Sequence, residues 1–590
     1  MNELEDVKND LKPKGIGPDG VHPGAFKWLP QSWMPLLLLF MNLVFIGGYP
    51  LCWAVAKLSM LFKKGIQSVC DNYRGISIIN CCSKIYDYIL NNRLMLWFRP
   101  SREQAGGQKE RGCIELIVAL RLLISFCKRK RKKLFIVFVD FSKAYDRVPR
   151  GKLFKVLKLF GCGSVMLSAL IAMYKVTTCI LGTTTISTTI GVRQGSPTSC
   201  FLFIIFVEML IRLIKNNIEV DSFLGWLHIM MLMDDTVILA SSREKLLEKL
   251  KYLDQYCVEY GMYMNEKKTK LMVILGDDVD KQPIQLSDIR ISHTDNYVYL
   301  GAIITADGST ASSILEHTDN KEKSLNKLII FLAANYDAPF FVKLKVFRAA
   351  FTSSILYSME SWVGMSTRPL ERMYAKGVRA LLGVRSSSPI NLCLIEAGLP
   401  PLKSIVADAQ GRFFRKMLPR MEMDDDPLGY VLRLIQLEDP TMWRNIRQVM
   451  NNNNHRKYAI EDITHHVQND TCRRSRTFKE LNPSLSCHVL YRQKDTYIPD
   501  NLRIAFTRLR LSSHRLRVET GRWSHTPREK RLCSCGVLQD EEHILSCPSN
   551  NDLLREFNYE EAHLGLQNLF TKLDVKQLTM LSKLMKKSER

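Results

Sequence analysis

Short, wholly apolar runs that end in charged residues stand out in the hydrophobic pattern of this chain. The run Leu134–Val139 has six apolar residues without interruption and leads directly into Asp140. A run this short, rich in β-branched and aromatic residues, predicts a strand that is buried on both faces. Asp234 and Asp235 lie between two further apolar runs, as at the tip of a β-hairpin. We therefore expect acidic side chains at the ends of rigid strands.

The rest of the pattern alternates helical and strand-like segments before it becomes helical alone. A helix is predicted from about residue 82 to 96, and a β-ribbon in CILGTTTISTTIGV is followed by the turn RQGSPTS. From about residue 309 to 421 the pattern favours helices only. Residues 427–500 are polar, and with the acidic segment 422–426 before them they are typical of a linker. The pattern predicts an α+β protein.

One apolar stretch, residues 28–56, contains no charged residue. A membrane-spanning helix needs roughly 20 consecutive apolar residues. Prolines and glycines interrupt this stretch and favour a helix of about a dozen residues, a turn and a second apolar segment. We predict a buried core helix, with a membrane span near residues 36–53 as the alternative.

Length and charge narrow the classes of function. A chain of 590 residues is too long for one hydrophobic core and predicts two to four domains. The formal net charge of +24 favours a polyanionic partner, most simply nucleic acid, over a basic surface without a specific partner. Most of the 16 cysteines stand alone in apolar segments, which indicates reduced thiols and an intracellular, non-secreted protein. We expect a nuclear location.

Two segments are unusually basic. Residues 128–133 are six consecutive cations, which fit a nuclear-import signal, a nucleic-acid contact or a solvated connection before a strand. Residues 503–522 hold six arginines against one acid, Glu519. Arginines beside rings suit phosphate contact and base stacking. The rings within or just after this segment are Phe506, His514 and Trp523.

A compact set of metal-binding residue types follows the arginine-rich segment. Three cysteines and one histidine make a closed tetrahedral zinc set. The single residue between the first two cysteines is tighter than the usual spacing, so incidental clustering is the alternative. The four residues are Cys533, Cys535, His543 and Cys547.

Several motifs, in order, resemble the palm motifs of reverse transcriptases: VDFSKAYDRV, RQGSPTS, LMDD, GMYMNEKKTK and YLG. Upstream, KGIGPDGVHP, NYRGISIIN with KIYDYILNNRL, and EQAGGQKERG are similar to those of the non-LTR (LINE-type) retrotransposon family. The likeness covers roughly residues 12–420, and the arginine-rich segment with its Cys-Cys-His-Cys cluster resembles the C-terminal end of such elements.

The resemblance implies an α+β right-hand polymerase of fingers, palm and thumb, with a helical C-terminal extension and a small zinc knuckle. The expected domains are a fingers extension (1–54), fingers and palm (55–305), a helical thumb (306–421), a linker or poorly defined helical region (422–500), the arginine-rich segment with the knuckle (501–550) and a helical tail (551–590).

The resemblance also implies an RNA-directed DNA polymerase that extends a DNA 3′-end on an RNA template with deoxynucleoside triphosphates. Nucleotide addition of this kind uses two Mg²⁺ ions held by carboxylates. The catalytic carboxylates would be Asp140, Asp234 and Asp235, of which Asp140 and Asp234 are the direct metal ligands. Lys268 would be the proton donor to the leaving pyrophosphate. Taken singly, an Asp at a strand end is common in proteins of other functions.

The same resemblance assigns the substrate contacts. Tyr145 matches the aromatic residue that crowds a ribose 2′-hydroxyl, and the Phe141 carbonyl would assist the metals. The other implied contacts are the triphosphate-binding cations Lys63 or Lys64 and Arg74, and the turn Gln194 and Gly195 that touches template and nucleotide.

The chain departs from the family pattern at three places. Leu232 and Met233 replace the usual aromatic residue and alanine before the two aspartates, Gly107 stands where an aromatic residue is common, and isoleucine follows Ser77 in place of the familiar leucine. Members of this family normally carry an endonuclease, which would need a second acidic site with a partner histidine. The sequence outside the polymerase motifs shows no such site, so an N-terminally truncated element is expected. A catalytically inactive, nucleic-acid-binding remnant is the alternative function.

Overall fold

The computed structural model describes residues 1–12, 14–63, 65–307, 310–451, 455–491, 498–557 and 575–589. The chain divides into two compact units. The sheet unit comprises Met1–Ser309 and Met417–Pro440, and the helical unit comprises Thr310–Lys416 and Thr441–Arg590. The mixture of helices and sheets confirms the predicted α+β class at this level. The predicted domain boundaries stay a prediction.

The sheet unit contains three β-sheets. Its strands are β1 (Val55–Phe62), β2 (Tyr73–Ile79), β3 (Leu134–Val139), β4 (Thr178–Leu181), β5 (Thr184–Ser187), β6 (Ile229–Leu232), β7 (Asp235–Ala240), β8 (Lys270–Ile274), β9 (Ile284–Gln285), β10 (Arg290–His293), β11 (Asn296–Tyr299) and β12 (Ala302–Thr305). A four-stranded sheet has the order β2-β1-β4-β5, a six-stranded sheet has the order β6-β7-β3-β8-β10-β9, and β11 and β12 form a hairpin.

Strand β3 is central in the larger sheet, and all six of its residues are buried. It pairs antiparallel with β7 on one side and β8 on the other, with Val139 opposite Thr236. The two neighbouring strands cover both edges of β3, and the burial of all six residues shows that both of its faces are covered as well, as the sequence predicted. The register brings the end of β3 beside the tip of the β6–β7 hairpin.

The helices of the sheet unit cover these sheets. They are α1 (Asn2–Asp10), α2 (Pro23–Lys27), α3 (Met34–Gly47), α4 (Cys81–Trp97), α5 (Cys113–Lys130), α6 (Ala144–Arg147), α7 (Arg150–Leu159), α8 (Ser164–Lys175), α9 (Pro197–Asn217), α10 (Arg243–Tyr260) and α17 (Pro427–Glu438). The longest of them, α9, packs against α4, α7 and α10 through an almost continuous buried apolar surface.

The helical unit has α-helices and no strand among its described residues. Its helices are α11 (Thr310–Ala334), α12 (Phe340–Val346), α13 (Ser353–Ile355), α14 (Arg368–Leu382), α15 (Ile390–Ala397), α16 (Leu402–Met417, whose last residue belongs to the sheet unit), α18 (Pro440–Asn451, whose first residue does), α19 (His455–Asn469), α20 (Arg473–Leu481), α21 (Asp500–Arg510), α22 (Arg517–Trp523), α23 (His543–Ser546), α24 (Asn551–Glu556) and α25 (Val575–Ser588).

Helix α3 corrects the prediction of a buried core helix in the apolar stretch. Its buried residues are Met34, Met41 and Val44, which form one narrow stripe. Leu43 and Ile46 are 60% and 82% exposed. Helix α3 therefore lies at the surface of the sheet unit, where only this stripe is fully buried and apolar side chains on its other side are exposed. Its 14 residues are also fewer than a membrane span requires.

One described helix is long and apolar enough to cross a membrane, α9, and 72% of its apolar window is buried within the protein. A bent pair of helices, Ile390–Ala397 and Leu402–Glu422, would be a second candidate if counted as one span. A mostly buried apolar helix is weak evidence for a membrane protein.

The segment predicted to be a linker begins instead as an ordered part of the sheet unit. Asp426 is buried and accepts a hydrogen bond from the Gly429 amide at the start of α17. Asp425 pairs with Arg102 at 3.1 Å, and α17 packs against α5. The acidic residues that resemble a solvated spacer in the sequence therefore pair with cations that lie more than 300 residues earlier.

The basic run 128–133 is also largely satisfied within the sheet unit. Arg129 pairs with Asp439 at 2.5 Å, Lys132 with Glu438 at 2.8 Å, and Lys133 with Asp280 at 2.6 Å. These pairs favour the interpretation of the run as a solvated connection before β3. The cation of each pair is partly or largely exposed to solvent, so each pair contributes little to stability.

The arginine-rich segment differs most from its predicted role. Arg510 and Glu396 form a buried ion pair at 2.9 Å, and Arg503 pairs with Asp500 at 2.6 Å. Phe506 and His514 are fully buried. The prediction of phosphate contact and stacking is therefore wrong for these two arginines and two rings, because they form the core of the helical unit. The side chains of this segment that remain exposed are Arg508, Arg515, Arg517, Arg522 and Trp523.

Candidate active site

Asp140 lies directly after β3 and is fixed by the loop that precedes β8. The Asp140 carbonyl accepts a hydrogen bond from the Asn265 amide at 2.7 Å, and the Asp140 amide donates to Thr269 Oγ1 at 3.3 Å. Two residues further on, the Ser142 amide donates to the Tyr263 carbonyl at 2.8 Å. Residues of the GMYMNEKKTK motif thus hold the backbone at Asp140 in place by hydrogen bonds.

Asp234 and Asp235 lie at the tip of the β6–β7 hairpin, where Leu232 pairs with Asp235. Burial raises the pKa of Asp234, and the nearby Asp140 carboxylate raises it further. Burial and then the negative charges of Asp234 and Asp140 raise the pKa of Asp235 to about 6. The structure therefore brings the three predicted carboxylates into one negatively charged group, which a divalent cation would stabilise.

Lys268 lies beside the first of these carboxylates. Its Nζ is 3.1 Å from both carboxylate oxygens of Asp140. The lysine side chain is 60% exposed, so this pair adds little to stability but places a positive charge at the site. The predicted proton donor thus lies against a predicted metal ligand.

Of the three predicted triphosphate-binding cations, Arg74 is placed near the carboxylates. It lies exposed on β2, and its charge acts on both Asp234 and Tyr145 by lowering their pKa values, against the larger effect of burial. Lys63 follows β1 and is exposed. Lys64 lies outside the described residues. Of the two triphosphate-binding candidates that the structure describes, Arg74 is the one whose charge acts on the predicted catalytic carboxylates.

Two aromatic residues of the VDFSKAYDRV motif have packed positions. Tyr145 stacks on Phe203 of α9, with ring centres 4.4 Å apart and an angle of 18° between the ring planes. Burial raises the pKa of Tyr145. Phe141 is buried, and its backbone forms a bridge with Met264. These contacts fix the ring of Tyr145 near Asp234, whose charge acts on its hydroxyl.

The RQGSPTS turn is attached to the neighbouring sheet. The Gln194 carbonyl accepts from the Ser77 amide at 2.7 Å, and Gln194 Nε2 donates to Asp146 at 2.8 Å. Gly195 has a φ of +109°, and a Cβ there would lie 2.6 Å from the Ser77 carbonyl oxygen. Glycine is required here because the turn approaches the backbone of β2 closely.

Sequence reasoning missed two residues that the fold brings to this site. Gln104 is fully buried, and its side chain hydrogen-bonds the backbone of the carboxylate turn. Tyr297 of β11 stacks on Phe138 of β3 at 4.0 Å. Burial and then the charges of Asp140 and Asp235 raise the pKa of Tyr297 to about 12. Gln104 belongs to the motif EQAGG, which is recognisable in the sequence alone. Its role could not be read there, because it depends on hydrogen bonds to Met233, more than 100 residues later.

The Cys-Cys-His-Cys set is assembled as predicted. The ligand atoms of Cys533, Cys535, His543 and Cys547 all lie within 4.8 Å of one another. His543 begins α23, and its amide donates to Asp540 at 3.1 Å. Burial opposes ionisation, but hydrogen bonds from the Cys535 backbone and the His543 side chain lower the pKa of Cys533 to about 6. Three sulfurs and one nitrogen at these distances fit a tetrahedral zinc ion.

Comparison with known proteins gives the class of this site. Residues 61–304 match the family model for reverse transcriptase (RNA-dependent DNA polymerase). This range holds every residue of the candidate active site. The sheet unit therefore carries a reverse transcriptase domain.

The relatives define the domain further. The RNA-directed DNA polymerase from mobile element jockey of Drosophila funebris is 23% identical over 407 residues, which are 65% of this chain and 44% of that protein. The Pol polyprotein of the type-1 retrotransposable element R2 of Bradysia coprophila is 25% identical over 321 residues, 51% of this chain and 36% of that protein. The predicted resemblance to non-LTR retrotransposon reverse transcriptases is confirmed.

The chain spans less than half the length of the two relatives, and the predicted truncation stays a prediction. Among solved structures, telomerase from Candida albicans is similar with a TM-score of 0.31 and 12% identity, over 67% of this chain and 68% of that one.

Proposed function

We propose that this chain is an RNA-directed DNA polymerase that extends a DNA 3′-end on an RNA template with deoxynucleoside triphosphates. One observation carries the proposal: Asp140, Asp234 and Asp235 converge from the end of β3 and the β6–β7 hairpin within the reverse transcriptase domain. In the right-hand arrangement, the sheet unit supplies fingers and palm, and the helical unit supplies the thumb and the C-terminal extension.

Asp140 and Asp234 are the residues that would hold the two Mg²⁺ ions. Such ions activate the primer hydroxyl and stabilise the charge that develops on the transferred phosphoryl group. Their fit to this site rests on the geometry, since the register of β3 and the β6–β7 hairpin brings three carboxylates together, and the raised pKa values of Asp234 and Asp235 agree with this. Asp235 adds to the negative potential that attracts the ions.

The other residues position the nucleotide. Arg74 would bind the triphosphate, and Lys268 is the candidate proton donor to the leaving pyrophosphate. Tyr145, held by its stack on Phe203, would crowd a ribose 2′-hydroxyl and so select deoxyribonucleotides. The turn at Gln194 and Gly195 would contact the template and the incoming nucleotide.

A templated extension assay tests the proposal. A labelled DNA primer annealed to an RNA template should be extended in the presence of Mg²⁺ and the four deoxynucleotides, and ribonucleotides should be used poorly. A protein that binds the primer–template with steep salt dependence but extends it on neither RNA nor DNA would instead be the inactive remnant.

The raised pKa of Asp235 predicts a pH dependence. As the pH falls through about 6, the Asp235 carboxyl gains a proton and the site loses negative charge, so polymerisation should decline. A bound cation favours the ionised form, so the midpoint should lie at lower pH in saturating than in limiting Mg²⁺. Initial rates measured against pH at both Mg²⁺ concentrations test this. A midpoint that does not depend on Mg²⁺ would contradict the assignment.

We also propose that the Cys-Cys-His-Cys set is a structural zinc knuckle. About one equivalent of zinc per chain is expected by elemental analysis, since the closed set offers four protein ligands. Cys535→Ser should lower the zinc content, whereas Cys70→Ser, which changes an exposed cysteine of the sheet unit, should not. An unchanged zinc content in Cys535→Ser would identify the cluster as incidental.

A further inference from the structure

Gln104 joins the segment before α5 to the hairpin that carries two of the carboxylates. Around it, the backbone pairs with β6: the Ala105 amide donates to the Met231 carbonyl, and the Met231 amide donates to the Glu103 carbonyl, each at 2.8 Å. The side chain of Gln104 thereby lies under the hairpin turn and has no exposed surface.

The Gln104 amide group makes three hydrogen bonds there. Its Oε1 accepts from the Met233 amide at 2.8 Å and from the Gly106 amide at 2.9 Å, and its Nε2 donates to the Met233 carbonyl at 3.1 Å. The opposite amide orientation would face two N–H donors with an NH₂ group, so the network defines the orientation. Both polar groups of the Met233 backbone are satisfied by one side chain.

Met233 needs such a partner because its φ is +59°. This left-handed conformation is unfavourable for residues with a side chain. The close approach also depends on Gly106, where a Cβ would lie 2.8 Å from both the Met233 nitrogen and its sulfur. Asp234 follows Met233 directly, so any relaxation of this residue would move the carboxylates.

We infer that Gln104 is a positioning residue for the reaction: it holds Met233 in the left-handed conformation and so fixes Asp234 and Asp235 relative to Asp140. This inference rests on the proposed polymerase function. It also gives a structural reason why the turn tolerates methionine, since the hydrogen bonds of Gln104 use only backbone atoms of that residue.

Gln104→Leu tests the inference. We expect kcat to fall about 10- to 100-fold, the range found when an outer partner of a metal ligand is lost. The Mg²⁺ concentration for half-maximal rate should rise, and the KM for deoxynucleotides should change little. Gln285→Leu, an exposed glutamine of β9, is the matched control and should change none of these. A purely structural role would lower the melting temperature without moving the Mg²⁺ dependence.

A second substitution makes the test specific. Met233→Gly in the Gln104→Leu background should restore part of the lost kcat, because glycine adopts the left-handed conformation freely. The same Met233→Gly change in the otherwise wild-type protein should not raise kcat. An unchanged kcat and Mg²⁺ dependence in Gln104→Leu, or an equal effect of Met233→Gly in both backgrounds, would overturn the inference. If Gln104→Leu does not fold, Gln104→Met, which is unbranched, uncharged and loses the same hydrogen bonds, replaces it. An inactive wild type would instead overturn the proposed function.

A second, independent observation is a groove in the helical unit, between α14, α15, α16 and α19, with a volume of about 860 Å³. Its acidic lining residues are Glu371 and Asp462. Its basic lining residues are Arg368, Arg372, Lys376, Arg379, Lys403 and His466. The groove is therefore strongly positive.

The cations on α14 are arranged for a ligand that extends along the helix. Arg368, Arg372 and Lys376 repeat every four residues, which places them on one face with about 5–6 Å between successive Cβ atoms. All three are exposed, and no acidic side chain within the described ranges pairs with them or with Lys403. Several cations of the basic run 128–133 form ion pairs, whereas the three cations of this row form none with the acidic side chains that the structure describes.

We propose that this groove binds single-stranded nucleic acid. The row of cations suits successive phosphates of one strand, and the apolar residues beside it suit bases that are not enclosed in a duplex. The apolar lining residues include Ile390, Leu394 and Ile463. The binding does not require catalysis, so it is tested separately from the polymerase activity.

The test is fluorescence anisotropy of the full-length protein with a single-stranded RNA, a DNA of the same sequence and a blunt RNA–DNA duplex. The triple variant Arg368→Glu, Arg372→Glu, Lys376→Glu should weaken single-strand binding at least 10-fold. It should also reduce the slope of log K against log salt by about 2, since each single-strand phosphate contact contributes about 0.7. The comparison of RNA with DNA identifies the strand that binds.

The control has the same change of charge on α7, namely Lys152→Glu, Lys155→Glu, Lys158→Glu, three exposed lysines of the sheet unit. Equal losses in the control, equal losses on the duplex, or unchanged single-strand binding in the folded groove variant would each overturn the proposal. The last result would leave an acidic protein segment as the ligand that fits the same charge.

Discussion

Asp234→Asn is expected to abolish primer extension, with a loss of more than about 100-fold in kcat. This is larger than the loss expected when a residue that only positions a metal ligand is replaced. The substitution keeps the shape of the side chain and removes the charge that a metal ion would bind. The stability of the folded protein, in contrast, should increase. Burial and the Asp140 charge raise the pKa of Asp234, so the ionised form is unfavourable in the folded protein, and the neutral amide should raise the melting temperature.

Asp288→Asn is the control, because it removes the same charge from an exposed position of the sheet unit. Extension assays and thermal melts of both variants separate the two effects. Extension by Asp234→Asn at the wild-type rate would contradict the assignment of this carboxylate. Loss of activity with a lower melting temperature would show only that the variant is damaged.

The carboxylates were predictable from the sequence because their positions depend on local patterns. An uninterrupted apolar run predicts a buried strand, and two such runs around a pair of aspartates predict a hairpin tip. The structure has β3 and the β6–β7 hairpin at these places, and their register brings the three side chains together. The glycine of the RQGSPTS turn was also predictable, since a close backbone approach requires it.

Contacts between distant segments were not predictable in the same way. The Gln104 side chain acts on Met233, 129 residues away, and nothing in the local sequence distinguishes it from a loop glutamine. Asp426 and its neighbours resemble a spacer until their partners in the sheet unit are known. In both cases a polar residue is buried because its partner satisfies it, and a single sequence does not reveal the partner.

Charge composition misled for the same reason. The six arginines of residues 503–522 were interpreted as a nucleic-acid surface, yet Arg503 and Arg510 are buried with Asp500 and Glu396. An excess of positive charge indicates a polyanionic partner for the whole chain but does not locate it. The exposed row on α14 has only three cations, compared with six arginines in residues 503–522. It lies in a groove, however, and its cations form no ion pair with an acidic side chain among the described residues.

The buried pair of Arg510 and Glu396 supports the last prediction. Arg510 donates to both carboxylate oxygens of Glu396, at 2.9 and 3.0 Å, and Tyr491 donates to the same carboxylate at 3.2 Å. Arg510→Leu would leave the Glu396 charge buried without its cation, which costs about 3–5 kcal/mol. We expect a clear drop in the unfolding midpoint of the helical unit, measured by urea titration or hydrogen exchange.

Two further variants distinguish a structural from a nucleic-acid-binding role for Arg510. Arg510→Leu combined with Glu396→Leu should recover much of the lost stability, because no buried charge then remains. Arg515→Leu, at an exposed position of the same segment, should change stability by less than about 0.5 kcal/mol. If Arg510→Leu instead weakened RNA binding while the unfolding midpoint stayed constant, the arginine would act on nucleic acid, and its buried pairing with Glu396 would not explain why the chain carries it.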